Sequence, residues 1–434
     1  MAAPRFPVVE PYLIKGVAIP PLRMAELSFP RPPAVASARD AVYQALDGSR
    51  RLGDLPAGSS IALAVGSRGI AGLTEVVSAA VSWLKKHGLR PFIVPAMGSH
   101  GGATAQGQAE LLGELGVSES LVDAPVAATM ETVDLGPTEF GINCRFDKNA
   151  ASADGVVVIN RVKSHTSFAR PIESGLVKML AVGLGKAQGA RNVHRLGTKG
   201  LAEVLPALAK VALGRAPVAY GLALLESPAK ELIRVDGVEP EDFFTAEERL
   251  LVEAKGLLAR LPFDQLDVLV VMWLGKNISG ICMDYAVTGR TDIRGLANPP
   301  KPFVHKLAAL RLTPESHGNA MGLGVADFTT KALAESLDLT AFYTNAMTAT
   351  FVEKGKIPLV MPHEKGAVQA ALATCWRLED EPVRMAVIKS TLELGRIWVS
   401  QALEPELAFR EDVYLTDTVT NLSFNQAGEI EGLF

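Results

Sequence analysis

The sequence predicts an α/β protein: two α/β domains with a cleft between them, built on parallel or mixed sheets. Three observations predict it. Short apolar runs alternate with segments of helical periodicity from about residue 60 onward, the pattern of strand–helix repeats. The run GVVVIN at 155–160 is apolar up to its final Asn160, as suits a strand buried on both faces. The chain has 434 residues, and at roughly 100–200 residues per domain that is two or three domains. The expected division is 1–262 for an N-terminal catalytic domain, with 412–434 packing back to complete it, and 263–411 for a C-terminal α/β domain.

Residues 1–58 are proline-rich and read as irregular, apart from a short helix at Ala36–Leu46. A strand is expected at Ile61–Val65 and a helix at Leu73–Lys86, where Leu73, Val76, Val77, Ala80, Val81 and Leu84 recur at helical spacing. Lys85, Lys86 and His87 suit the negative end of that helix, and Gly88 suits a left-handed cap. Pro91–Ala96 forms the next strand and leads into Gly98-Ser99-His100-Gly101-Gly102; a helix follows from Thr104 to Leu115. Val126–Val133 and Val156–Asn160 are expected strands. Residues 173–194 read as two helical pieces parted around Gly183–Gly189. Leu201–Leu213 reads as a helix and Val218–Leu225 as a strand. An amphipathic helix at Thr245–Leu261 stops at Pro262, and the strand Leu266–Trp273 opens the second region. There, strands are expected near Val383–Ser390 and Ile397–Ser400, and helices near Phe328–Ser336 and Gly366–Ala373.

Composition excludes several classes of function. Hydrophobic residues are 48% of the chain, charged residues 21%, and the formal net charge is -4. That balance gives no electrostatic reason for nucleic acid or an anionic membrane surface as a partner. Prolines break the N-terminal stretch, and no apolar run approaches the ~18 residues of a membrane helix. A cytoplasmic protein with no membrane partner is expected. Cys144, Cys282 and Cys375 fit no zinc or CxxC spacing, so reduced core thiols are expected.

Chemistry concentrates in the turns after the apolar runs, where ligands of α/β proteins bind. Arg68, between Gly66-Ser67 and Gly69, can hold a carboxylate or phosphate through two parallel hydrogen bonds; a surface arginine capping a loop is the plainer alternative. His100, among small neighbours, can exchange a proton at neutral pH, or be a structural histidine. His165, in Asn160-Arg161-Val162-Lys163-Ser164-His165, follows another buried strand. Two imidazoles on neighbouring strand ends suit acid–base chemistry on two faces of one substrate; Arg161 and Lys163 also fit a solvated loop. Lys178 interrupts the apolar Leu176-Val177-Lys178-Met179-Leu180, where a buried amine can become a nucleophile or attachment point, or can snorkel from a helix edge. His194 follows Gly183-Leu184-Gly185-Lys186-Ala187-Gln188-Gly189, which holds neither GxxxxGK[ST] nor GxGxxG, so an ordinary ATP or NAD site has no direct support. In the second region, Lys276 and Asn277 in Gly275-Lys276-Asn277-Ile278-Ser279-Gly280 occupy the corresponding strand-end loop and are assigned to substrate; they can equally form a structural turn. His363 is a lesser candidate.

Taken in order, Arg68, His100, His165, Lys178 and His194 resemble the nickel-dependent lactate racemase family, whose members are nickel-pincer nucleotide-dependent 2-hydroxy acid racemases and epimerases. The resemblance covers mainly residues 60–200. It implies that Arg68 binds the substrate carboxylate and that His100 and His165 are acid and base. It further implies that Lys178 is covalently bonded to the nickel-pincer nucleotide, with Ser99 and Lys163 beside it, and that His194 coordinates the nickel. The implied reaction is reversible hydride transfer from C2 of a 2-hydroxy acid, with cofactor-biosynthesis proteins as partners and a homo-oligomer as an option. Val65-Gly66-Ser67 stands where lactate-specific members carry an acidic residue, which points to a 2-hydroxy acid other than lactate. Two other readings use the same residues: a cofactor-free binding protein for small organic acids, built on Arg68, and a metal-dependent hydrolase built on His100, His165 and His194.

Overall fold

The computed structural model describes residues 5–7, 10–67, 69–165, 170–378 and 380–434. In chain order the strands are β1 (Leu22–Leu27), β2 (Ser60–Val65), β3 (Arg90–Pro95), β4 (Thr132–Pro137), β5 (Asn143–Asp147), β6 (Gly155–Arg161), β7 (Val218–Glu226), β8 (Leu232–Val238), β9 (Gln265–Leu274), β10 (Phe303–Leu312), β11 (Phe328–Thr330), β12 (Leu359–Met361), β13 (Met385–Ile388), β14 (Arg396–Ser400), β15 (Val413–Thr420), β16 (Ser423–Phe424) and β17 (Ile430–Glu431). The fold is mixed α/β and falls into two compact units. One runs from Pro30 through His165 and on to Leu258. The other joins Ala259–Phe434 to the first residues of the chain, through Phe29.

The first unit is built on a five-stranded sheet in the order β3-β2-β6-β7-β8. β3, β2, β6 and β7 are parallel, and β8 closes the sheet antiparallel to β7. Val156, Val157, Val158 and Ile159 are all fully buried, which is why β6 carries no polar residue before Asn160. The helix Leu73–Lys86 packs Val76, Val77, Ala80 and Leu84 into the same core as Ile61, Leu63 and Val65. It closes across left-handed Gly88 (φ 76°), where the Leu89 N–H returns to the Leu84 carbonyl at 3.0 Å.

Three elements of this unit differ from the sequence expectation. Val126 makes only an isolated bridge to Ile93, and the strand proper starts at Thr132, pairing with β5 as a separate hairpin. Pro125 has no N–H to extend a ladder, and the alanines after Val126 offer little to bury. The helix expected at Leu201–Leu213 is a π-turn, Gly200–Val204, running into an α-helix, Leu205–Arg215. Pro206 in its first turn cannot donate backward, so the ladder changes pitch there. The helix expected to reach Leu261 spans Phe243–Gly256, ending at its glycine well before Pro262.

The second unit has an eight-stranded mixed sheet in the order β12-β11-β10-β9-β13-β14-β1-β15. β9 to β13 run parallel, while β14, β1 and β15 alternate in direction. Residues 1–58 are therefore not irregular throughout. β1 buries Leu22, Ala25 and Leu27 between two partner strands. The tail expected to complete the first unit is likewise placed elsewhere, because β15 is bonded to β1 along a backbone ladder. The expected helix at Phe328–Ser336 begins as β11, and Thr330 then caps Lys331–Glu335 by accepting the Leu333 N–H. Cys144, Cys282 and Cys375 are free and buried. Burial raises the first two thiols to about 11 and about 12, so they are inert core groups. Among the described residues, no helix is long and apolar enough to cross a membrane.

Candidate functional site

Because β2, β3 and β6 are parallel neighbours, the loops that follow them leave the same edge of the first unit's sheet. Ser67 follows β2, Ser99 and His100 follow β3, and Lys163 and His165 follow β6. Arg68 belongs to the first of these loops but lies outside the described residues.

The β3 loop is held in place by a buried network that the sequence reading did not single out. Gly98 and Gly101 have φ of 59° and 63°, and a Cβ on Gly101 would sit 2.6 Å from the Gln108 nitrogen, so only glycine permits this turn. Gln108 donates from Nε2 to the carbonyls of Gly98 (3.0 Å) and His100 (3.3 Å). Its Oε1 accepts from Lys186 Nζ at 3.0 Å. Lys186 is itself fully buried, donates to the Pro95 carbonyl at the end of β3, and pairs with Asp147 at 3.0 Å. Burial lowers the Lys186 ammonium from its ordinary range while Asp147 works to keep it charged. His100 is exposed, and its Nδ1 shares a short hydrogen bond with Ser67 Oγ, joining the β2 and β3 loops. The sequence signal for the network was a lysine inside a glycine-rich stretch, which by itself suggests a phosphate contact as readily as a buried strut.

The β6 loop is clamped by Glu173. This buried carboxylate accepts the His165 N–H at 2.6 Å and the Arg170 N–H at 2.8 Å, and pairs with Lys255 at 2.5 Å. Lys163 bonds through its N–H to the Ser174 carbonyl at 2.9 Å. Arg161 is not part of a solvated loop. It pairs with Glu226, which also accepts the Ala71 N–H.

Lys178 ends a short helical turn, Leu176–Lys178, that passes directly into a π-turn at Met179–Gly183. This stretch lies across the strand ends. The Gly98 N–H donates to the Gly183 carbonyl at 3.0 Å, a Cβ on Gly183 would meet the Ala96 carbonyl at 2.7 Å, and one on Gly66 would touch Met179 at 3.5 Å. Asn160, leaving β6, donates to the Gly175 carbonyl at 2.9 Å. Lys178 is half-buried between buried neighbours, in a segment bonded to the strand ends through Gly183 and Gly175.

His194 closes the helix Lys186–His194, with a buried Nδ1. A helix C-terminus favours a charged imidazole, yet burial, reinforced by the Lys178 ammonium, lowers its pKa to about 4. A change of that size, near 3 kcal/mol at ~1.4 kcal/mol per unit, exceeds what a helix end ordinarily supplies, so desolvation decides and the ring is neutral.

Residues 17–201 match a family model, the lactate racemase N-terminal domain. This part of the chain is similar to that family. A solved structure, the lactate racemase apoprotein from Thermoanaerobacterium thermosaccharolyticum, aligns over 89% of this chain and 96% of its own at 12% identity, with a TM-score of 0.47. No curated protein matches the chain. Arg68, Ser99, His100, Lys163, His165, Lys178 and His194 all fall inside the matched residues, and Lys276 and Asn277 fall outside them.

Those two residues follow β9 in the other unit. Lys276 Nζ donates to the Gly280 carbonyl (2.8 Å) and to Asn345 Oδ1 (2.7 Å), and Asn277 Oδ1 accepts from Thr313 Oγ1 at 2.8 Å. His363 is a helix cap there: its Nδ1 accepts the Gly366 N–H at 2.9 Å at the start of Glu364–Thr374. Among the described residues, no three His, Cys, Asp or Glu side chains are grouped as a metal site. A cavity of about 630 Å³ beside Tyr220, Glu239 and Arg249 includes none of the candidate residues.

Proposed function

We propose that the chain is a racemase or epimerase of a 2-hydroxy acid, working with a nickel-pincer nucleotide held by Lys178 and His194. The observation that carries this reading is the parallel β3-β2-β6 edge that bears His100 and His165, with the segment of Lys178 bonded to it at Gly98 and Asn160. The donor set fits the cofactor. An imidazole that stays unprotonated down to about pH 4 keeps a lone pair for a borderline metal such as nickel, and a lysine on a short, rigid turn is a fixed attachment point. When bound, that group supplies a reversible acceptor for the C2 hydride.

The chain's own residues do the remaining work. Arg68 anchors the substrate carboxylate through a forked pair of hydrogen bonds. One of His100 and His165 accepts the hydroxyl proton as the alcohol becomes a ketone, and the other serves the opposite face when the oxo acid has turned over. Ser67 Oγ holds His100 Nδ1 and so fixes the ring against the β2 loop. Ser99 and Lys163, in the β3 and β6 loops, would help to hold the cofactor.

The test uses protein co-produced with the enzymes that make the cofactor. Intact mass should show a nucleotide-sized increment that is missing from Lys178→Ala. A panel of chiral 2-hydroxy acids is then followed by chiral chromatography, and a C2-deuterated substrate should racemise with its label retained. Normal racemisation by Lys178→Ala would overturn the proposal. Stabilisation by hydroxy acids with no dependence on nickel would favour the organic acid-binding alternative.

A further inference from the structure

The helix Phe243–Gly256 contributes no residue to the strand-end loops, yet two of its side chains hold them. Lys255 pairs with Glu173, whose oxygens take the amides of His165 and Arg170. Two turns earlier, Glu247 reaches the start of the Lys178 turn and accepts the Val177 N–H at 2.9 Å, with the Leu176 N–H beside it. Gly175 is small because of this contact: a Cβ there would lie 2.5 Å from the Glu247 carboxylate. Residues 247 and 255 are eight apart, about 80° around a helix of 3.6 residues per turn, so both lie on one side of it.

From this geometry we infer that Glu247 and Lys255 are positioning residues: one helix behind the sheet edge sets both the Lys178 turn and the His165 loop. The inference rests on the proposed function only in taking Lys178 and His165 as working residues. Glu247 acts as a cap supplied from a distant element, since Gly175, at the N-cap, has no side chain to satisfy the first amides of the turn. Burial pushes the Glu247 carboxyl up to about 7, while Lys178 and the two amides pull it down. A neutral acceptor can therefore replace the anion there. Glu173 opposes it with like charge, and Lys255 holds Glu173.

Cofactor-free full-length protein tests this, so the result does not depend on which reaction is catalysed. Hydrogen exchange read by mass spectrometry should rise at least tenfold in peptides covering 176–178 in Glu247→Ala, with 163–165 little changed. Lys255→Met should show the reverse. Glu247→Gln, which keeps an acceptor oxygen, should restore protection. Acylation of Lys178, scored against exposed Lys86 in the same sample, should change severalfold in Glu247→Ala and return in Glu247→Gln. Exchange that rises evenly across the unit, or Lys178 acylation within twofold of wild type in Glu247→Ala, would overturn the inference. If the alanine variant does not fold, Glu247→Gln and Lys255→Met carry the test: Lys255→Met must loosen 163–165 selectively and Glu247→Gln must leave 176–178 protected, and failure of either overturns it.

Discussion

Replacing Lys186 by methionine should destabilise the first unit far more than a surface charge deletion would. Both members of the Lys186–Asp147 pair are fully buried. Methionine fills much of the same volume and inherits the same left-handed backbone (φ 54°), so the change isolates the charge. Asp147 would keep the hydrogen bond from the Ala150 N–H at 2.9 Å and lose the Lys186 ammonium. The Pro95 carbonyl and Gln108 Oε1 would each lose a donor. Removing one partner of such a pair costs about 3–5 kcal/mol, which for a unit of this size lowers the melting temperature by roughly 6–20 °C. Calorimetry that resolves the two units supplies the measurement, and the double variant Lys186→Met/Asp147→Leu closes the cycle. The double variant should recover most of the loss, because neither charge is then stranded. A single-variant cost below about 1 kcal/mol, or a double variant as costly as the two singles added, would refute the reasoning.

Three further outcomes are expected. His194 has a folded-state pKa below its ordinary 6.5, so the unfolded chain binds more protons between about pH 6.5 and 4 and stability falls as pH drops through that window, by about 3 kcal/mol; His194→Gln, neutral throughout, should lose this acid sensitivity in melting curves at pH 4 and 7. Glu247 has the opposite sign. Its folded pKa is raised from 4.5 to about 7, so its contribution is fully present below pH 4.5 and is lost as pH rises through 7. Glu247→Gln should therefore gain about 3 kcal/mol on wild type between pH 4.5 and 8, and a pH-independent difference would contradict the assignment. Gly101→Ala puts a methyl group 2.6 Å from the Gln108 nitrogen on a φ of 63°. It should displace His100 and cut kcat more than tenfold, while the peptides around Lys178 keep their hydrogen-exchange protection.

What the sequence disclosed follows the reach of its signals. β6 and the helix Leu73–Lys86 are legible because their apolar patterns are local and complete. β1 is hidden in a proline-rich stretch, and its partners β14 and β15 lie more than 360 residues away. No local pattern reports such pairing. β10 was missed because His305, Lys306 and Arg311 dilute its apolar run. At the site, the strand-end residues could be picked out because their chemistry is conspicuous. Their supports, Gln108, Asp147, Lys186, Glu173 and Glu247, look like ordinary surface residues until burial is known. Most of them act across 70 residues or more of sequence.

The placement of β1 also bears on how the molecule is made. It is synthesised more than 360 residues before the strands on both sides of it. At ordinary rates of synthesis the interval is on the order of tens of seconds, during which Leu22, Ala25 and Leu27 have nowhere to go. The intervening unit can complete itself in that time, while β1 waits with both of its ladder edges unpaired.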